Sequence, residues 1–82
     1  MKSNYKESDA FLLHATKFKE TSLLCVFFSK EFGKVSAVAK GARSKKSKFQ
    51  ALTVPGAIFK IAFSGKNELK TLTSCESLET LD

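Results

Sequence analysis

An 82-residue chain buries only about 60 to 65% of the surface its unfolded form exposes, which leaves room for one modest core and one domain. An apolar fraction of 43% with eight Phe excludes general disorder, and no stretch approaches the roughly 20 apolar residues of a membrane span. The net charge of +6 is carried by residues 30–48 alone, where Lys30, Lys34, Lys40, Arg43, Lys45, Lys46 and Lys48 face a single acid, Glu31, while elsewhere seven basic and seven acidic residues cancel.

The start of the chain, residues 1–9, is polar and has no apolar signal region behind Lys2, so a cytoplasmic location is expected. From Ala10 the pattern becomes extended. Phe11, Leu13 and Ala15 alternate with Leu12, His14 and Thr16, and the polar residues 17–21 then break the run, as a first strand and its turn would. Residues 22–29 are apolar on both faces and too short and aromatic to prefer a helix, which predicts a central strand buried on two sides. Lys30, Glu31, Phe32 and Gly33 form a hairpin connection in which Gly33 supplies a positive φ, and residues 35–40 return as a third strand.

Residues 41–49 are loop by composition, and Phe49, Gln50, Ala51 and Leu52 make a helical turn at most before Pro55 and Gly56 stop it. Ala57, Phe59, Ile61 and Phe63 then alternate with Ile58, Lys60, Ala62 and Ser64 as a fourth strand with one strongly apolar face. Ser64, Gly65, Lys66 and Asn67 turn the chain into a fifth strand over residues 69–75. The tail from Glu76 carries Leu78 and Leu81 at a helix-compatible spacing without a stop signal, so the chain reads as the amino-terminal fragment of something longer. Five short strands with one long irregular connection, between the third and the fourth, predict an all-β fold: a small closed barrel of the oligonucleotide-binding (OB) kind. The basic loop or a short helix would fill that connection, and an SH3-like barrel is the alternative.

The chemistry concentrates in residues 40–48. Gly41 and Ala42 let backbone approach a phosphate, Ser44 and Ser47 add hydroxyl donors, and the cations replace condensed counterions along a strand. The bland reading is a solvated charged loop; convergence of the whole net charge on one stretch favours a polyanion site. Lysines act as point charges on phosphates, so such contact would be largely blind to base sequence. Base stacking would need an exposed ring, and Tyr5, Phe18, Phe32 and Phe49 fall in predicted turns or loops, whereas Phe11, Phe27, Phe28, Phe59 and Phe63 are expected in the core.

Catalysis and cofactors find little support. His14 has no nucleophile or orienting carboxylate that the sequence would place beside it and reads as a structural or surface histidine. Gly65-Lys66-Asn67 lacks the spacing of a phosphate loop. Two cysteines and one histidine do not supply a four-ligand zinc site, and Cys25, inside an apolar run, is expected as a buried free thiol. No enzyme activity, cofactor or metal is therefore expected. Thr21 or Ser22 would bond local backbone and Glu20 a lysine, and Lys45-Lys46-Ser47-Lys48 matches a nuclear import patch only at chance level.

Several segments also form a known pattern. Glu20-Thr21-Ser22-Leu23-Leu24 before a Phe-rich strand, Gly33-Lys34-Val35 through Val38-Ala39-Lys40-Gly41-Ala42-Arg43, Lys46-Ser47, and Gly65 with Glu68-Leu69-Lys70-Thr71-Leu72 together resemble the amino-terminal domain of the RecO family of bacterial DNA repair proteins. The resemblance covers most of residues 9–76. It implies an OB barrel that binds single- and double-stranded DNA and belongs to a recombination mediator acting without nucleotide hydrolysis in strand annealing. It also implies a nucleoid-associated location, RecR as a partner, and single-strand binding protein and RecA as partners of the full-length protein. Lys34, Lys40 and Arg43 occupy matching positions and are the implied DNA-contacting cations; Lys45, Lys46 and Lys48 extend the patch by charge alone. The chain departs from the family in lacking its helical domain, often with a cysteine zinc site, and in reading Leu52-Thr53-Val54-Pro55 where the family usually has a leucine-proline pair.

Two other classes compete with this reading. An RNA-binding barrel of the cold-shock or ribosomal sort would present aromatic motifs on its ligand-facing strands, and the strand aromatics here alternate as core residues would. A protein-interaction domain would use the same basic patch to receive an acidic peptide.

Overall fold

A long first strand, β1 (Lys6–Phe18), organises the molecule, and a computed structural model describes it together with the rest of residues 5–44, 49 and 56–78. It is followed by β2 (Ser22–Ser29), β3 (Gly33–Ala39), β4 (Ile58–Ser64) and β5 (Leu69–Ser77). The strands close into a barrel in the order β1-β2-β3-β5-β4, with β4 returning to β1. All pairs are antiparallel except β3 with β5, which run parallel over Ser36–Val38 and Leu69–Thr71. That order and that single parallel pair are those of the OB barrel, as the spacing of the strands had indicated.

β1 begins four residues before the alternation of large apolar residues does. Its first half, from Lys6 to Phe11, pairs with β4, and from Ala10 onward it pairs with β2. The polar start still alternates, with Ser8 and Ala10 buried and Glu7 and Asp9 exposed, so it closes the barrel without large side chains. A bulge between Leu12 and His14 then shifts the register on β2. Ala10 and Leu12 point inward before it and Ala15 packs on the core after it, so His14 lies exposed and not on the face of Leu12, as unbroken alternation would put it.

The core takes one face of each strand: Leu12 from β1, Leu23, Cys25 and Phe27 from β2, Val35, Ala37 and Ala39 from β3, Phe59, Ile61 and Phe63 from β4, and Leu72 from β5. Phe27, Phe59, Leu12 and Ile61 are the largest fully buried side chains, each contributing about 1.5 to 3 kcal/mol by leaving water. Both cysteines are free, and burial pushes the Cys25 thiol up to about 11 and the Cys75 thiol up to about 12.

Two aromatics expected in the core lie outside it. Phe11 is 42% and Phe28 59% exposed, because a closed barrel has a single interior and the apolar run of β2 includes outward positions. They are direct cross-strand partners, Phe11 is also opposite Ile58, and the amide of Leu78 donates to the carbonyl of Ile58. Phe28, Phe11, Ile58 and Leu78 therefore cross the outer wall in one exposed row, roughly 14 Å long at about 4.8 Å between strands.

The β2–β3 hairpin turns through Lys30, Glu31 and Phe32, and Gly33 takes φ +70°, as its position required. Buried Ser29 holds it, its hydroxyl donating to the Gly33 carbonyl at 2.8 Å and accepting the Phe32 amide at 2.9 Å. β5 continues two residues past the expected limit to Ser77, so Glu76 and Ser77 are strand and not the start of a helix. Phe49 is buried in a turn; Gln50, Ala51 and Leu52, the rest of the expected helical turn, lie outside the described residues, as does Leu81.

Candidate nucleic-acid interface

β3 carries two of the expected cations on one face. Lys34, Ser36 and Val38 alternate with core residues, and Lys40 follows just past the strand end, with both lysines exposed. Six residues at about 3.3 Å each put roughly 20 Å between them. Two clefts adjoin this face: one holds Lys34, Ser36 and Glu68, the other Val38 and Lys40, and Leu69 borders both. Together they make one track along β3 beside the start of β5.

The second cleft, about 510 Å³, is walled on its far side by Phe18, Lys19 and Thr21 at the β1–β2 turn, and by Lys70 and Thr71 of β5. Lys19, Lys40 and Lys70 thus surround one open groove, although they are 51 positions apart at the extremes of the sequence. The residue order hid this. Lys19 stands next to Glu20 and Lys70 near Glu68, so neither belongs to a charge run; the antiparallel β1–β2 and β2–β3 pairings carry Lys19, and the parallel β3–β5 pairing Lys70, to Lys40.

Arg43 is exposed yet structurally committed. Its Nε donates to the Ser22 carbonyl at 3.2 Å and its Nη2 to the Lys19 carbonyl at 2.9 Å and to the Glu20 carbonyl. Its own amide donates to the Thr21 carbonyl at 2.8 Å. Three of the five guanidinium donors therefore fasten the β1–β2 turn; among the described residues it is Arg43, and not a side chain of Thr21, Ser22 or Glu20, that bonds the turn's backbone. The segment around it is built to match: Gly41 at φ +70° turns the chain, Ala42 is buried in the core, and the Ser44 amide returns to the Gly41 carbonyl at 3.0 Å. The first half of the basic loop is docked. Lys45, Lys46 and Lys48, with Ser47, lie outside the described residues.

Lys30 belongs elsewhere. It lines a different cleft, near the β2–β3 turn, together with Glu7, Asp9, Glu31 and Lys60. Among the described residues no group of three or more His, Cys, Asp and Glu is placed to hold a metal, and His14 lies exposed on β1.

Comparisons with known proteins fit the barrel. The family model described as "Recombination protein O N terminal" matches residues 1–81. The "DNA repair protein RecO" of Actinobacillus pleuropneumoniae serotype 5b is 46% identical over 66 residues, covering 80% of this chain and 28% of that protein. The protein of the same name from Salmonella dublin is 44% identical over 69 residues, 84% of this chain and 28% of the relative, and that from Laribacter hongkongensis is 39% identical over 71 residues, 87% and 29%. The chain thus spans less than a third of the length of these relatives. A five-stranded barrel of OB topology, matched almost from end to end by that family model, belongs to the RecO amino-terminal family.

Proposed function

We propose that the domain is the DNA-binding part of a RecO-type recombination mediator, that it is non-catalytic, and that it holds single- and double-stranded DNA through the cationic track on β3. Lys34 and Lys40 contact phosphates from the strand, Lys19 and Lys70 from the opposite wall, and Lys45, Lys46 and Lys48 from the loop beyond. Arg43 contributes charge from its remaining donors while it keeps the wall in place. The observation that carries this reading is the convergence of Lys19, Lys40 and Lys70 on one open groove between the β1–β2 turn and β5, the region where OB barrels bind oligonucleotides.

The physics suits annealing. Lysines neutralise the repulsion between two strands without claiming base edges, which stay free to pair. In the longer protein the same domain would act in recombinational repair with RecR, helping to load RecA onto DNA covered by single-strand binding protein, in the cytoplasm and on the nucleoid.

Fluorescence anisotropy of a labelled single strand of about 30 nucleotides, titrated from low to physiological salt, tests the reading. Neutralising four to six phosphates gives a log–log slope of roughly −3 to −4, from about −0.7 per phosphate. Substituting Lys34, Lys40, Lys45 and Lys46 together by alanine should remove most of the affinity with the fold intact. Unchanged binding in that variant overturns the site, and no binding of the wild-type chain at low salt turns attention to acidic peptides.

A further inference from the structure

We propose that Phe18 is a base-stacking platform in this groove, which gives a single, unpaired strand an extra contact there, a base on the Phe18 ring with its phosphates on Lys19, Lys40 and Lys70. The inference rests on the DNA-binding reading of the same groove and adds to it a contact that duplex DNA does not make.

Four aromatics are candidates for stacking, and their surroundings separate them. Phe49 is buried at 4% exposure. The Tyr5 hydroxyl donates to Glu7 Oε2 at 2.9 Å, and that carboxylate borders the separate cleft of mixed charge that holds Asp9, Glu31, Lys30 and Lys60. Phe32 also has an ammonium over its ring, Lys6 Nζ at 5.8 Å from the centroid, but it packs edge-on against Phe63 with ring centroids 5.7 Å apart and does not line the lysine groove. Phe18 alone among them is a half-buried ring in the wall of the lysine groove.

The Phe18 ring already receives a cation. Lys19 Nζ lies 5.5 Å from its centroid, so the ring is accessible to a flat or charged partner and is now covered by a mobile ammonium on a flexible stem. An exposed cation–π contact is weaker than a base–aromatic stack, so a base displaces Lys19 from the ring and the freed ammonium moves onto the adjacent phosphate. Lys70 is similarly tethered without being consumed, one of its three donors reaching the Gly65 carbonyl at 3.2 Å.

The wall is also preset. Lys19 has φ +57°, the one positive value among the described residues that is not a glycine, and an unfavourable conformation for a residue with a Cβ. Arg43 holds it there through the Lys19 carbonyl at 2.9 Å. A strained residue clamped by a neighbouring element, beside an accessible ring in a cationic groove, is what a preorganised strand-binding wall requires. In a duplex the base faces are already stacked on one another, so a ring in the groove wall has none to meet.

The test compares wild-type chain, Phe18→Leu and Phe18→Tyr for anisotropy with a labelled 15-nucleotide oligo-dT, an abasic strand of the same phosphate count, and a hairpin duplex. Circular dichroism checks the fold of each variant. Phe18→Leu keeps an apolar filler but no π face; it should lose roughly 5- to 100-fold in affinity for oligo-dT at an unchanged salt slope, while its duplex and abasic-strand affinities stay within twofold. Phe18→Tyr should stay within twofold throughout, and wild-type protein should bind the abasic strand as weakly as Phe18→Leu binds oligo-dT. Equal oligo-dT affinity in wild type and Phe18→Leu, or equal wild-type affinity for oligo-dT and the abasic strand, overturns the stacking assignment while leaving the phosphate site standing. If the wild-type chain binds none of the three probes at low salt, the DNA-binding reading falls and this inference with it.

Discussion

Replacing Arg43 by lysine separates its two roles. The substitution keeps the charge and removes the planar fork, so the carbonyls of Lys19, Glu20 and Ser22 lose three donated hydrogen bonds at once. A hydrogen bond from a charged donor contributes about 1.5 to 3 kcal/mol when both partners are shielded from water. Arg43 is exposed, and the turn carbonyls regain water when the guanidinium leaves, so the three together should contribute only about 1 to 2 kcal/mol. For a domain of this size that is a fall in Tm of roughly 4 to 16 °C. Thermal melts followed by circular dichroism, for wild type, Arg43→Lys and Arg43→Ala, read it directly. Both variants should melt early and by similar amounts, and Arg43→Lys should keep the wild-type salt slope for DNA. An Arg43→Lys domain melting within a degree of wild type would refute the clamp and return Arg43 to the status of a simple surface cation.

Neighbouring phenylalanines should answer oppositely to truncation: Phe27→Ala, in the core, should cost about 3 to 5 kcal/mol in urea melts, and Phe28→Ala, 59% exposed, under about 1 kcal/mol. Phe28→Lys should leave the urea midpoint nearly unchanged and reduce static light scattering at high protein concentration, since it interrupts the exposed row of Phe28, Phe11, Ile58 and Leu78. Gly33→Ala should destabilise the hairpin by about 1 kcal/mol through its positive φ alone, because no neighbour lies within 4 Å of the added Cβ. The two thiols ionise more readily in the unfolded chain, where the ordinary value is 9.0, than in the fold, where they are pushed up to about 11 and about 12. Their contribution is therefore fully present below pH 9 and is lost as pH rises through those values, and urea midpoints at pH 8 and pH 10.5 should show the decline.

The fold was legible wherever a strand kept an unbroken period of two. Phe59, Ile61 and Phe63 alternate and are all buried, and Gly33 marks its turn. Legibility stopped where geometry inserted a residue. The bulge after Leu12 reverses the facing of the rest of β1, and alternation alone carries no trace of it, so His14 leaves the face of Leu12 while remaining the surface histidine its surroundings implied. Phe28 was unreadable for a different reason: a run of apolar residues states that a strand is sticky, not that both its faces are covered. The basic loop stood out as a local excess of charge, whereas Lys19 and Lys70 reach the same groove only through the fold, each set among mixed charges in the sequence. Arg43 reads as a phosphate ligand from composition, and its hold on the β1–β2 turn emerges only from the contacts.

The double pairing of β1 also sets how the molecule opens. Ala10 and Phe11 face Ser29 and Phe28 on one side and Phe59 and Ile58 on the other. The hairpin of β2 and β3 needs only a three-residue turn, but the seam between β1 and β4 joins residues 49 apart in sequence, Ala10 to Phe59, and its closure carries the larger entropy cost. The seam should therefore form after the hairpins during folding. Because each amide donates to one neighbour only and successive amides point to opposite sides, residues 10 and 11 should report two different openings: one exchanges when the β1–β4 seam parts, the other only when β1 also leaves β2.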